Sequence, residues 1–75
     1  MTLADMPLQA PGRIRGFRAL TESELCRLSA LGIREGAFIT KLLRAPLRDP
    51  IECLVGPQLL ALESWLLERI EVDPA

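Results

Sequence analysis

The sequence predicts a mainly β fold, a small barrel of about five strands with one inserted α-helix. Short segments of strand-forming residues recur between turns rich in Gly and Pro. A single helix-capping sequence interrupts this pattern near residue 21. The length of 75 residues, 49% of them hydrophobic, allows one core and no more. We therefore expect one domain over residues 1–75, with its core over about 12–72.

The first strand is predicted from Arg13 to Leu20. Ile14 lies between two arginines, so apolar and charged residues alternate at the start of this segment. Gly16 interrupts the alternation, and a glycine inside a strand often marks a bulge. Such a bulge would turn Phe17 toward the core. Residues 6–12 contain two prolines and a glycine, and we interpret them as a lead-in turn.

A helix is predicted over about 21–31. Thr21 and Glu24 have the spacing of a capping box, in which each side chain bonds the backbone N–H of the other residue. Gly32 can take the left-handed conformation that ends a helix, with Ile33 folding back on the helix as its apolar contact. Leucines recur at every third position along one face, which we expect to be buried: Leu25, Leu28 and Leu31.

Residues 37–44 and 51–55 predict two strands of a hairpin, joined by a turn that two prolines enforce. Apolar residues occupy both faces of the first of these strands. Either Phe38 and Leu42 or Ile39 and Leu43 point outward, and the outward pair would form an apolar stripe suited to a partner.

The C-terminal part of the chain is ambiguous in period, because it fits a helix in its middle and a strand at its end. We divide it into a short strand over 59–62, a helical turn over 63–67 and a closing strand over 68–72.

The residue types present argue against an enzyme and against a tight metal site. Histidine, the usual general base and metal ligand near neutral pH, is absent. Cys26 and Cys53 lie in apolar surroundings typical of buried free thiols, and two thiols are too few for a tight site. We expect no cofactor and at most weak association of ferrous iron or zinc. Asp49 and Glu52 could pair as carboxylates, but Asp before Pro is typical of a turn that the Asp side chain stabilises.

Charge and hydropathy indicate a cytoplasmic protein that does not bind nucleic acid. The formal net charge is −1, so the chain has no general attraction for polyanions, and the several arginines are interpreted as a solvated strand face. No apolar run approaches the roughly twenty residues that span a bilayer, and no signal sequence is evident. We therefore expect no membrane insertion.

Several segments together resemble a known family. In order they are Ile14-Arg15-Gly16-Phe17, Leu31-Gly32-Ile33, Gly36, Ala45-Pro46-Leu47-Arg48-Asp49-Pro50-Ile51, Leu60-Ala61-Leu62 and Ile70-Glu71-Val72. Over about residues 13–72 the chain is similar to the family of ferrous iron transport protein A, FeoA.

The resemblance implies an SH3-like barrel with a helix inserted after the first strand. It also implies a small accessory or regulatory protein of bacterial ferrous iron uptake. Its partner would be FeoB, a membrane permease with a GTP-binding domain, and the family offers no catalytic residues to carry over. A transition-metal-binding or iron-sensing protein is the alternative. Apolar residues on both faces of one strand also leave a homo-oligomer open.

The resemblance and the apolar stripe together suggest which residues matter. Candidate partner contacts are Phe38, Leu42, Pro46, Leu47, Arg48 and Asp49. The structural motif comprises Gly16, Leu31, Gly32, Gly36, Pro46, Asp49 and Pro50. Two residues depart from the family pattern. Arg48 stands where the family usually has glycine, and Glu63 stands where it often has a basic residue, which puts the docking site in doubt.

Overall fold

Five antiparallel strands form one sheet in the computed structural model, which describes residues 1–44 and 49–75. The strands are β1 (Pro11–Phe17), β2 (Phe38–Arg44), β3 (Ile51–Val55), β4 (Gln58–Leu62) and β5 (Ile70–Pro74), arranged in the order β4-β3-β2-β1-β5. The helices are a 3₁₀ turn (Leu3–Asp5), α1 (Glu22–Ala30) and α2 (Ser64–Leu67). The mainly β fold with one inserted helix and a second short one is confirmed.

The hairpin of β2 and β3 is also confirmed, since these strands pair antiparallel from Ile39 opposite Val55 to Arg44 opposite Ile51. β2 lies at the centre of the sheet, between β1 and β3. The inward side chains of all five strands pack into one cluster with Leu28 of α1 and Leu67 of α2. The helices therefore cover the inner face of the sheet.

The N-terminal segment belongs to the core, which the sequence pattern did not predict. Leu3 is fully buried and Met6 is 4% exposed. The carbonyl of Met1 accepts a hydrogen bond from the backbone N–H of Val72 (2.9 Å), and Thr2 forms an isolated bridge with Glu71. The core thus begins at Leu3, well before residue 12.

Lys41 ties this segment to the central strand. Its side chain is buried, and its Nζ donates to the carbonyl oxygen of Ala4 at 3.1 Å. Its own carbonyl accepts a hydrogen bond from the backbone N–H of Gln9. A carbonyl in a short helical turn has no partner within the turn, so the buried ammonium supplies one.

A bulge at Gly16 changes the register of β1 against β5, as predicted. The pairing shifts between Ile14 and Gly16, so that Ile14 is 1% exposed and Phe17 packs against the edge of the core. The extra residue lets two apolar side chains separated by three positions share the inner face.

Both ends of α1 have the predicted caps. Thr21 Oγ1 accepts from the N–H of Glu24 (3.1 Å), and the N–H of Thr21 donates to Glu24 Oε1 (2.8 Å). These bonds hold the pKa of Glu24 below its usual value. At the other end Gly32 has φ +87°, and the N–H of Ile33 donates to the carbonyl of Leu28 at 2.9 Å. This is the six-to-one bond of a Schellman motif.

The buried face of α1 is narrower than the sequence predicts. Leu28 is 6% exposed, whereas Leu25 is half-buried and Leu31 is 40% exposed. A spacing of three residues lags behind the 3.6-residue turn, so the three leucines drift around the helix and only the middle one meets the core.

Replacing Thr21 with Ala should destabilise the domain by about 1 kcal/mol, because one N–H in the first turn of α1 loses its acceptor. Ser23→Ala is the matched control. Ser23 is exposed within the helix, and its replacement should change the free energy of unfolding by less than about 0.5 kcal/mol. Urea denaturation of both variants measures the difference, and equal effects would contradict the capping role.

Candidate interaction surface

A bulge in β2 decides which of its side chains face outward. The pairing with β3 shifts between Lys41 and Leu43. Before the bulge, Ile39 and Lys41 are buried and Phe38 is 56% exposed. After it, Leu43 is 58% exposed, and Leu42 at the bulge is half-buried. Both outward pairs expected from the sequence require unbroken alternation, so neither pair is the outward one.

The outward positions of three neighbouring strands form one surface, on which large apolar side chains surround Thr40 and Glu52. Thr40 lies opposite Leu54, which lies opposite Leu59, and cross-strand partners share a face. Leu43 lies on the same face, two strands away from Ala61. We name this surface the outer apolar face and define it by its large exposed side chains: Phe38, Leu43, Leu54 and Leu59.

A guanidinium group lies at one end of the outer apolar face. Arg13 is opposite Phe38 in the register, and its Cζ lies 6.0 Å from the centroid of the Phe38 ring. This is the range of a cation–π contact. The face therefore combines an aromatic ring, three leucines and one neighbouring cation.

The remaining arginines of this region are engaged with neighbours. Arg15 Nη1 lies 3.4 Å from Asp73, and Arg18 lies 3.7 Å from Glu71. The Arg18 Nε also donates to the carbonyl of Glu68 at 3.1 Å. These pairs are exposed and contribute little stability. They fit the interpretation of a solvated, charge-balanced strand face.

Asp49 has a structural contact that differs from the predicted one. Its Oδ1 accepts a hydrogen bond from the backbone N–H of Ser64 at 2.9 Å, fifteen positions along the chain. Ser64 is the first residue of α2, and Glu63, the N-cap, makes no side-chain cap of its own. The carboxylate thus supplies the missing cap from a distance. Three other residues that we predict to contact the partner lie outside the described residues: Pro46, Leu47 and Arg48. Arg48 is also the residue that departs from the glycine of the family pattern.

Two glycines of the predicted structural motif, Gly32 and Gly36, lie in turns after α1, and Gly16 lies at the bulge of β1. Gly36 has φ +90°, a conformation that side chains with a Cβ rarely adopt, and its N–H donates to the carbonyl of Ile14 at 2.8 Å. The carbonyl of Leu31 accepts from Gln58 Nε2 at 2.9 Å, which links the end of α1 to β4. Pro50 follows a cis peptide bond.

The two cysteines are free and differ in environment. Cys26 is exposed on α1, contrary to the expectation that both are buried, while Cys53 has no exposed surface. Burial raises the pKa of the Cys53 thiol to about 11, partly offset by the charge of Lys41. Among the described residues no group of three His, Cys, Asp or Glu side chains could hold a metal ion.

The sequence pattern does not predict the exposure of two apolar regions. The sequence pattern places Leu54 and Leu59 in strands but does not give the face on which they lie, although the uncharged composition of 58–62 indicates an apolar surface. Trp65, 41% exposed, borders a groove between α1 and α2 whose floor includes Leu28 and Leu62. The Arg69 Cζ lies 5.8 Å from the centroid of the indole.

None of the helices in 1–44 and 49–75 combines the length and apolar character that crossing a bilayer takes.

Comparison with known proteins gives a family and close structural relatives. A model of the FeoA domain matches residues 1–74. The solution structure of iron(II) transport protein A from Clostridium thermocellum is 29% identical with a TM-score of 0.87, and the match covers 100% of this chain and 46% of that one. The chain therefore spans less than half of that relative. No curated protein matches.

Two further solved structures have the same fold. FeoA from Chlorobium tepidum is 30% identical with a TM-score of 0.89, over 99% of this chain and 70% of that one. FeoA from Stenotrophomonas maltophilia, complexed with zinc and described as a prokaryotic SH3 domain protein, is 26% identical with a TM-score of 0.80, over 97% and 89%. The fold is thus SH3-like, as the resemblance implied.

Asp49→Ala should lower Tm by roughly 4–8 °C, the equivalent of about 1 kcal/mol, because the first N–H of α2 loses its acceptor. Asp49→Asn keeps a side-chain oxygen at the same place and should retain most of the stability. Thermal denaturation followed by circular dichroism measures both. Similar losses in the two variants would show that the negative charge, not the cap, matters.

The stability of the domain should fall as the pH rises from 9.0 toward about 11, through the titration of Cys53. The folded state holds this thiol proton more tightly than the unfolded chain, so its contribution is complete below 9.0 and is lost above it. Urea denaturation across this window should show a smaller decline for Cys53→Ala than for the parent chain. Parallel pH profiles would contradict the assignment.

Proposed function

Because the chain belongs to the FeoA family, whose domain model matches residues 1–74, we propose that it is an accessory protein of bacterial ferrous iron uptake. It acts in the cytoplasm by binding another protein and catalyses no reaction. Stenotrophomonas maltophilia FeoA is itself described as a candidate activating factor of bacterial ferrous iron transport, which supports this role.

The partner is a FeoB-like ferrous iron permease, a membrane protein with a GTP-binding domain. The outer apolar face is the docking surface, and its exposure is the observation that carries the proposal. Four large apolar side chains, from 36% to 64% exposed, lie on adjacent strands of one sheet. Exposed apolar side chains clustered on one face among polar residues are typical of protein interaction sites.

The chemistry of this face also suits a protein partner. Phe38, with Arg13 beside its ring, combines an aromatic and a guanidinium side chain, two types that are enriched at protein interfaces. Glu52 is exposed between Leu43 and Ala61 in the register, so a partner must place a donor or a cation there. A purely apolar surface would leave this carboxylate without solvent or a counter-charge.

Phe38→Asp and Leu43→Asp should each weaken binding to the cytosolic portion of the permease by at least tenfold, because each variant buries a charge at the interface. Leu31→Asp is the matched control, since Leu31 is 40% exposed but lies on the helix-covered side of the domain. Affinity is measured by titration with the GTP-binding portion in its GTP-analogue and GDP states, after circular dichroism has verified each fold.

Three outcomes are informative. Loss of binding in Phe38→Asp and Leu43→Asp with retention in Leu31→Asp supports the surface and the partner. Loss only in Leu31→Asp moves the interface to the helical side. No binding by the parent chain in either nucleotide state contradicts the permease as the partner.

Weak association of zinc or ferrous iron is the second proposal, supported by the zinc complex of Stenotrophomonas maltophilia FeoA. Cys26 is the exposed thiol of this chain and would be the ligand, because Cys53 is buried with its pKa raised. Isothermal titration with zinc should give at most weak binding that Cys26→Ser removes. Tight stoichiometric binding would instead favour metal sensing.

A further inference from the structure

The two edges of the five-stranded sheet differ in protection. β5 is partly covered, because Thr2 bridges to Glu71 and the N–H of Val72 donates to the carbonyl of Met1. Pro74, at the end of β5, has no N–H to offer. At the opposite edge, the backbone of β4 bonds only to β3 within the described parts of the chain. Within the residues that the structure describes, this edge therefore offers backbone donors and acceptors that no other strand uses.

The sequence of β4 lacks the features that usually prevent edge association. Gln-Leu-Leu-Ala-Leu contains no charge and no proline. Its pairing with β3 runs without a register shift from Ile51 opposite Leu62 to Val55 opposite Gln58, so no bulge twists the edge away. Natural edge strands commonly carry a lysine, a proline or a bulge, each of which hinders pairing with a further strand. Leu59, at 64%, is the most exposed large apolar residue in the described part of the chain.

We propose that β4 pairs antiparallel with β4 of a second copy of this chain. The unpaired backbone groups of a strand edge are satisfied by another extended strand. The strand that pairs with β4 must be uncharged, because a charged strand would place its charge against Leu59. β4 itself meets both conditions, and a two-fold axis brings two identical segments together antiparallel through the same five residues.

This pairing extends the outer apolar face. A two-fold axis perpendicular to the sheet keeps the outward sides of both copies on the same side. With the five residues of β4 paired to themselves, Leu59 of one copy lies opposite Ala61 of the other, Leu54 lies one strand further in, and the ten strands form one sheet. The pairing requires no permease, so it stands or fails independently of the partner proposed above.

The geometry predicts a weak dimer. A five-residue strand spans about 17 Å, and one strand pair buries far less than the roughly 800 Å² per partner of a standard interface. The dimer should therefore dissociate at low concentration and become populated only in the upper micromolar range, at about 100 µM and above.

Sedimentation velocity of the full chain from about 10 µM to about 1 mM tests the pairing. We expect a concentration-dependent dimer that Leu59→Lys weakens at least tenfold, because a lysine on an edge strand opposes strand pairing. Leu54→Lys is the matched control. Leu54 lies directly opposite Leu59 on the same face but one strand inside the edge, and this variant should still dimerise.

Amide hydrogen exchange provides a backbone readout. At high concentration, alternate amides of β4 should gain protection that is absent at low concentration. A chain that stays monomeric up to about 1 mM overturns the proposal. A dimer that Leu54→Lys also removes, or that Leu59→Lys leaves intact, overturns edge pairing and points to face-to-face or helical contacts. A monomer whose β4 amides are protected only by an added uncharged extended peptide overturns the second copy as the occupant.

Discussion

The register shift between Lys41 and Leu43 is the constraint on which much of this small domain depends. β2 is the central strand, so a change of phase in its side chains affects both neighbours and both faces of the sheet. Ile39 and Lys41 point inward before the shift, and Leu43 points outward after it. A regular strand would have to bury Leu43 or expose Lys41. The bulge instead leaves an apolar residue in solvent and a lysine in the core.

The buried lysine explains how a 75-residue chain completes its core. The central strand holds the N-terminal segment through two hydrogen bonds, one from the Lys41 ammonium and one to its carbonyl. Leu3 and Met6 then fill space that the strands alone leave open. Removing an ammonium from water is costly unless its donors are satisfied, and Lys41 sits where a helical-turn carbonyl needs one. Small domains that no disulfide cross-links depend on such additional packing.

The inner and outer sides of the sheet differ in what covers them. α1 and α2 both contribute to the inward cluster, and their caps are made locally or, for α2, by Asp49 from another part of the chain. No helix packs on the outer apolar face in the described residues, although its leucines would suit a core. An apolar sheet surface left open on a rigid scaffold is the arrangement expected of a binding module, and the uncovered β4 edge adjoins that surface.

Local signals in the sequence determined the capped helix, the bulge at Gly16 and the β2–β3 hairpin, because capping, glycine conformation and proline exclusion act within a few residues. The family resemblance supplied the SH3-like topology. Tertiary structure alone decided the inclusion of Leu3 and Met6 in the core, the bond from Ser64 to Asp49 and the outward direction of Leu43. Each of these depends on contacts between distant segments. The bulge in β2 contains no glycine that would mark it in the sequence. The register shift is required only by the pairing with β3 and by the burial of Lys41, and residue periodicity contains neither kind of information.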